Sequence, residues 1–208
     1  MNILITILLC TLFVTCSHTQ NDTSARLVGG FCEGCEAVFE YGKQILTSVD
    51  TLPDFNDNGQ KIKLTGIIYE PDGITPAEDV ILYIYHTNQE GIYPTKVDGT
   101  GWANRHGYLR GWIKTGSDGR YTFYTLKPGT YPSRSAPAHI HPVILETNGK
   151  YYWIEEFLFE GDPLITNNDS ENRSPRGGYN FILTLNEEND LFVGERNIIL
   201  GKNVPDYD

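Results

Sequence analysis

The sequence predicts an all-β fold, an antiparallel β-sandwich with long loops and little helix. Many short apolar segments are separated by turn signals such as P-D-G, G-S-D-G and N-G-K. The chain contains 13 tyrosines and 21 glycines, which suits extended strands joined by tight turns. Sustained helical periodicity is almost absent. Together these observations favour two packed sheets around one core.

The N-terminal residues predict an exported protein. Residues 3–15 form an apolar run that is too short to cross a bilayer and is typical of a signal peptide, which we assign to residues 1–16. An alternative is a lipoprotein signal, because the run ends at Cys16 and a polar segment follows, so that Cys16 would carry a lipid anchor. The expected location is periplasmic, extracellular or anchored to a membrane as a lipoprotein. Residues 17–35 then form a tether, and residues 36–208 form one domain.

The charge of the chain argues against two classes of partner. The formal net charge is −11, and no Lys/Arg cluster is present. Nucleic acids and anionic membrane surfaces attract basic patches, so neither is an expected partner. Solubility accounts for the acidity.

The tether ends in a C-E-G-C motif that contains Cys32 and Cys35. In an exported protein this pair predicts a short disulfide rather than half of a zinc site, because no second Cys/His pair accompanies it. From Glu36 to Val49, apolar residues recur every three or four positions, which indicates either a helix or an irregular segment that wraps the domain.

Segments with the pattern of β-strands begin at Lys61 and recur towards the C-terminus. Residues 81–86 are apolar on both faces, which predicts a central strand. The segments R-G-W-I-K-T and R-Y-T-F-Y-T-L flank G-S-D-G, and this arrangement predicts a hairpin. F-I-L-T-L and N-I-I-L are predicted to be short closing strands.

The segment P-A-H-I-H carries the most informative chemistry. On a strand, His139 and His141 point to the same face, at a spacing that one metal ion can span. Tyr131 stands upstream, after a K-P-G-T turn, and two imidazoles with a phenol form a ligand set that suits iron. The alternative is that both histidines are half-buried strand residues whose ring nitrogens are satisfied by hydrogen bonds.

An ordered set of motifs resembles the intradiol ring-cleavage dioxygenases, both the protocatechuate 3,4-dioxygenase-like and the catechol dioxygenase-like members. The motifs lie within residues 60–165 and read L-T-G-I-I-Y, G-I-Y, R-G-W-I-K-T-G-S-D-G-R-Y-T-F-Y-T-L-K-P-G-T-Y-P, P-A-H-I-H and F-L-F-E-G-D-P-L-I. The resemblance implies a non-haem Fe(3+) cofactor held by Tyr93, Tyr131, His139 and His141. It implies a small aromatic diol and O2 as substrates, and a cis,cis-muconate-type product. Family members often assemble, so a homo-oligomer is also expected.

The same resemblance assigns roles to three residues. Tyr131 would leave the metal when substrate binds and take up a substrate proton. The family usually has arginine just before P-A-H-I-H, where this chain has Ala136, and Arg134 is the nearby cation that would substitute for it. A glutamine is common where Glu156 stands. The catalytic candidates are therefore Tyr131, Arg134 and Glu156, and the changes favour a neutral catechol or hydroxyquinol-type ring over protocatechuate.

Two other functions remain open at this point. Parts of the sequence also resemble transthyretin-like and carboxypeptidase-regulatory-type modules, which would make the protein a non-catalytic binding module. Such modules do not require His139, His141 or a tyrosine at position 93. The other alternative is a family member that binds metal without turning over a catechol, which Ala136 and Glu156 keep open.

Overall fold

The computed structural model describes residues 24–208. The predicted signal peptide with Cys16 and the first part of the tether, residues 17–23, lie outside the described residues. Export and lipid anchoring therefore stay predictions.

Short strands dominate the described chain. They are β1 (Arg26–Leu27), β2 (Val49–Thr51), β3 (Lys61–Tyr69), β4 (Ile81–His86), β5 (Arg110–Lys114), β6 (Arg120–Leu126), β7 (His139–Leu145), β8 (Lys150–Trp153), β9 (Phe157–Phe159), β10 (Ile182–Leu183), β11 (Asn186–Glu188), β12 (Leu191–Glu195) and β13 (Ile198–Ile199). The helices are a 3₁₀ turn at Cys35–Phe39, α1 (Ala103–His106) and α2 (Asn167–Glu171). No helix within residues 24–208 is long and apolar enough to cross a membrane.

The strands form two sheets. One has the order β1-β8-β7-β4-β5, with β9 and β10 attached beside β7, and the other has the order β11-β12-β3-β6-β2, with β13 paired to β3. The longest ladders, β3 with β6, β4 with β7 and β4 with β5, are antiparallel. Short parallel ladders are added at the margins, for example β2 with β6 and β12 with β3. The predicted all-β sandwich is confirmed.

The main core lies between the two sheets. Its members include Ile62 and Leu64 of β3, Leu82 and Ile84 of β4, and Ile140 of β7, all of which are buried. Because side chains alternate along a strand, the neighbours of these residues on β4 and β7 point to the opposite face of the sheet. This outer face is the one that carries the two histidines.

A second apolar layer covers part of that outer face. Cys35, Ala37 and Val38 of the 3₁₀ turn pack against Tyr83 and Trp112. This cover explains why β4 is apolar on both faces, and it confirms that β4 is a central strand between β7 and β5.

The segment before β2 is mostly irregular, which is the second of the two predicted alternatives. Only Cys35–Phe39 is helical, as a 3₁₀ turn, and Gly42 then takes a left-handed conformation with φ 60° that ends any continuation. Cys32 and Cys35 form the predicted disulfide.

The predicted hairpin between β5 and β6 is wrong. The turn exists, since the Gly119 amide donates to the Gly116 carbonyl, but β5 pairs with β4 and β6 pairs with β3. The turn therefore carries the chain from one sheet to the other. A tight turn between two apolar strands predicts reversal of the chain, and only packing decides which sheet each strand joins.

Candidate metal centre

The two histidines lie at the start of β7, on the outer face of its sheet. Ile140, between them, is fully buried in the main core, while His139 and His141 are half-buried. Their Nε2 atoms are 3.0 Å apart. The predicted same-face geometry is therefore present.

The two tyrosines reach the histidines from separate loops. Tyr93 follows the turn after β4, and Tyr131 lies in the loop between β6 and β7. Their hydroxyl oxygens are 2.8 Å apart. Tyr131 Oη lies 3.1 Å from His139 Nε2, and Tyr93 Oη lies 2.9 Å from His141 Nε2. The four predicted metal ligands therefore form a closed ring of two oxygens and two nitrogens.

The dimensions of this ring fit one metal ion. Bonds of about 2.0–2.1 Å from a first-row metal to nitrogen or oxygen place ligands at right angles about 2.8–3.0 Å apart. The four edges of the ring, from 2.8 to 3.1 Å, match that spacing. No group of three or more His, Cys, Asp or Glu within residues 24–208 is arranged to hold a metal. A metal ion held at this ring would therefore have the two phenols among its ligands.

Asn88 and two glycines hold the tyrosine loops together. The Asn88 carbonyl accepts hydrogen bonds from the amides of Gly91 and Gly129, and its side-chain oxygen accepts from the amide of Ile92. Gly91 has φ 75°, and a β-carbon there would overlap the carbonyl oxygen of Thr130. The two loops therefore meet backbone against backbone. This contact between the loops was not predicted from the sequence, in which the N-Q-E-G turn is its only signal.

The histidine rings are restrained in different ways. His139 Nδ1 is 2.7 Å from the carbonyl of Pro137, which can only accept, so Nδ1 carries the proton and Nε2 presents a lone pair. His141 Nδ1 is 3.6 Å from Glu156 Oε1, which is longer than a hydrogen bond, and 41% of the Glu156 side chain is exposed. Burial alone would raise the pKa of Glu156, but the nearby His141 outweighs it and lowers that pKa. Glu156 is thus an anion beside the predicted centre.

Burial sets the protonation of the other groups. It raises the pKa of Tyr93 and of Tyr131, and it lowers the pKa of His139. Without a cation, the site therefore holds neutral phenols and a neutral imidazole. Phenolates here require a positive charge close by, which is what a bound metal ion supplies.

A cavity of about 460 Å³ opens on the ring of donors. Its wall includes Tyr131, His139 and His141, together with Ala136 and Glu156. The two positions that depart from the family pattern thus both face the predicted centre. Arg134 does not join them. It is exposed in the loop before β7, with φ 52°, and it is not among the residues that line this cavity.

His106 supplies a pH prediction for the metal-free protein. This residue is buried, and burial, helped by the charges of His141 and Arg110, lowers the pKa of His106 to about 3. An unfolded histidine has a pKa of about 6.5. Between these values the unfolded state binds more protons, so stability falls as the pH drops through this window. We expect His106 to account for a loss of about 2 kcal/mol in unfolding free energy between pH 7 and pH 5.

Urea unfolding of the metal-free wild type and of His106→Gln at both pH values checks this expectation. The wild type should lose more stability than the variant. Equal losses would show that His106 is not the group responsible.

Comparison with known proteins agrees with the fold. Residues 39–197 match the family model described as "Dioxygenase". The chain is 32% identical over 136 residues to a catechol 1,2-dioxygenase of Acinetobacter lwoffii, a match that covers 58% of this chain and 42% of the relative. It is 31% identical over 116 residues to a protocatechuate 3,4-dioxygenase beta chain of Burkholderia cepacia, covering 51% of this chain and 48% of the relative.

A solved structure has the same fold. The dioxygenase domain of a carbohydrate-binding fusion protein from Streptomyces sp. SirexAA-E superposes with a TM-score of 0.54, at 20% identity, over 77% of this chain and 94% of that one. In each curated comparison the match takes in less than half the length of the relative. The family model, however, covers most of this chain. The chain therefore belongs to the intradiol dioxygenase family.

Proposed function

We propose that this protein is a non-haem ferric dioxygenase that uses O2 to open a catechol-type ring between its two oxygen-bearing carbons, giving a cis,cis-muconate-type product. The observation that carries the proposal is the closed ring formed by Tyr93, Tyr131, His139 and His141. A plain binding module has no need for four metal-binding side chains to converge at a cavity wall. Family membership gives the reaction class.

The donor set favours Fe(III) over other ions. Two phenolates would offset much of the charge of a trivalent ion, and they are hard ligands, while imidazole suits iron among other transition metals. The raised pKa values of both phenols mean that a strongly charged cation is needed to ionise them. A bound ferric ion would act as a Lewis acid and a template for the two diol oxygens.

Three kinds of residue would contribute to the reaction: a fixed metal ligand, a proton acceptor and an apolar surface for the substrate. His139 is fixed by the Pro137 carbonyl and serves as a rigid donor. Tyr131 borders the cavity and is half-buried, so its oxygen is the donor best placed to accept a proton from an incoming diol. Leu158 and Phe181 in the cavity wall provide an apolar surface for an aromatic ring.

The cavity wall favours an uncharged substrate. It includes the acidic residues Glu155, Glu156 and Asp169, and none of the described residues that line it is Lys or Arg. Ala136 stands in the same wall. In this cavity, a ring that bears a carboxylate would meet like charge with no cation among the described residues of the wall, which is unfavourable. We therefore propose a neutral catechol or a hydroxyquinol-type ring as substrate.

Oxygen uptake with matched substrates tests this proposal. We expect turnover of catechol or hydroxyquinol, and a kcat/KM for protocatechuate that is lower by about tenfold or more. Ala136→Arg should narrow that gap by restoring a cation to the cavity wall. Equal kcat/KM values for catechol and protocatechuate in the wild type would contradict the assigned substrate class.

One observation supports a second candidate, a family member that binds iron without turnover. Arg134, the cation expected to replace the missing arginine, is exposed and away from the cavity wall. Iron binding without oxygen uptake for any of these diols would favour this second candidate.

A further inference from the structure

A stack of aromatic rings lies behind the predicted metal centre. The ring of Tyr85 stacks on the imidazole of His141, with centroids 4.6 Å apart and planes 18° apart. It also stacks on the imidazole of His106, at 3.7 Å and 4°. Tyr85 and His141 are directly opposite each other on β4 and β7, so the contact is built into the register of the sheet.

Among the described residues, the Nδ1 side of His141 lacks the short hydrogen bond that orients His139. His139 is oriented by the Pro137 carbonyl at 2.7 Å, whereas the nearest partner of His141 Nδ1 is Glu156 Oε1 at 3.6 Å. The short contacts of His141 are all on its Nε2 side, at 2.9 Å from Tyr93 Oη and 3.0 Å from His139 Nε2, so the tilt of the imidazole plane about that end depends on packing. The face of Tyr85 supplies that packing.

The ring of Tyr85, not its hydroxyl, makes this contact. Its hydroxyl forms no hydrogen bond with another residue in the 24–208 range, whereas Tyr93 and Tyr131 use theirs in the ring of donors. Tyr85 also lies 5.8 Å from the ring of Tyr93. A single side chain thus packs against two of the four predicted ligands.

The other side of the stack is held firmly. His106 Nδ1 is hydrogen-bonded to the hydroxyl of Tyr83 at 2.9 Å, and its ring lies 5.2 Å from that of Trp102. The turn closed by the Cys32–Cys35 disulfide covers His106, since a β-carbon on Gly34 would overlap His106 Nε2. His106 therefore has little room to move away from Tyr85.

We propose that Tyr85 is a positioning residue for His141: its ring, backed by His106, fixes the imidazole plane so that Nε2 points to the position shared with the other three donors. The inference rests on the proposed function only for the identity of the bound metal. The packing of Tyr85 against His141 is a feature of this chain by itself. It predicts that loss of the aromatic face loosens His141 and weakens metal binding.

Two substitutions separate the aromatic face from the hydroxyl. Tyr85→Phe keeps the ring, and Tyr85→Leu removes it. Tyr69→Leu is the matched control, because Tyr69 lies at the end of β3 in the other sheet and pairs with Tyr179 at 6.5 Å. If Tyr85→Leu does not fold, Tyr85→Met is measured by the same criteria, since methionine adapts to irregular gaps.

The first measurement is Fe(III) affinity by competition with a chelator, together with the position of the visible phenolate-to-iron band. We expect Tyr85→Leu to bind Fe(III) about tenfold or more weakly than the wild type, with a shifted band, which is the size of effect typical of residues that orient metal ligands. Tyr85→Phe should bind within about twofold of the wild type and keep the band, as should Tyr69→Leu. Wild-type affinity in Tyr85→Leu, or an equal loss in Tyr69→Leu, would overturn the proposal.

The second measurement needs no metal. Imidazole NMR signals of His141 in the metal-free protein should broaden in Tyr85→Leu, because the ring samples more orientations, and keep the wild-type line width in Tyr85→Phe. A change of position alone reflects the lost ring current of Tyr85, so wild-type His141 line widths in Tyr85→Leu would overturn the positioning role. If the wild type itself fails to bind Fe(III), the proposed function fails, and the NMR result still decides the role of Tyr85.

Discussion

Replacement of Tyr93 by phenylalanine is expected to weaken Fe(III) binding by at least about a hundredfold. Substitutions of residues that only support the metal ligands weaken binding by up to about a hundredfold, and removal of a ligand should weaken it at least as much. The Tyr93 oxygen contacts two of the other three donors, Tyr131 Oη at 2.8 Å and His141 Nε2 at 2.9 Å. Phenylalanine keeps the aromatic ring and removes only the hydroxyl oxygen. One of the four donors is therefore lost while the packing remains. Competition with a chelator gives the affinity, and the visible phenolate-to-iron band should weaken or vanish.

The metal-free Tyr93→Phe variant should lose only about 1 kcal/mol of stability, the usual cost of a lost hydrogen bond. Tyr121→Phe is the matched control. Tyr121 is a buried tyrosine in the other sheet, and its hydroxyl donates to the Arg196 carbonyl at 2.7 Å. We expect this control to be destabilised to a similar degree and to bind Fe(III) like the wild type. Undiminished binding by Tyr93→Phe would remove Tyr93 from the ligand set.

Gly91→Ala should damage the site although it replaces none of the four donors. Gly91 has φ 75°, where an L side chain is strained, and its β-carbon would overlap the Thr130 carbonyl. The strain costs about 1–2 kcal/mol, and the overlap forces the two tyrosine loops apart. Because Tyr93 and Tyr131 lie on these separate loops, we expect Fe(III) affinity to fall by about a hundredfold. The measurement is the same chelator competition.

Gly42→Ala isolates the contribution of backbone strain. Gly42 also has a positive φ, 60°, but nothing lies within 4 Å of the position that a β-carbon would take, so alanine there meets no obstacle. It should lower the unfolding midpoint and leave metal binding intact. If Gly91→Ala behaved like Gly42→Ala in both measurements, the contact between the loops would have no role in positioning the tyrosines.

Local periodicity predicted the parts of the site that lie on one strand. The H-I-H spacing placed His139 and His141 on one face because side chains alternate along any strand, and their Nε2 atoms are 3.0 Å apart. The apolar pattern of residues 81–86 likewise identified β4 as a central strand. The tyrosines came from the resemblance of ordered motifs, since thirteen tyrosines offered no local reason to choose two.

Features that depend on how strands pair were not accessible from the sequence. The stack of Tyr85 on His141 requires the register between β4 and β7, which no local pattern states. The hairpin expected at G-S-D-G failed for the same reason, because β5 and β6 join different sheets. Arg134 is close to His139 in sequence, but the loop turns it outwards. Nearness in sequence alone thus did not place it at the cavity.

Titration of the purified protein with Fe(III) tests the central claim most directly. The wild type should bind one Fe(III) per chain and develop a visible phenolate-to-iron band that shifts when catechol is added. The Tyr93→Phe and Tyr131→Phe variants should each lose most of that band. A wild-type protein that stays colourless with excess Fe(III), or binds it without saturation at one equivalent, would contradict the assignment of Tyr93, Tyr131, His139 and His141 as a single metal centre.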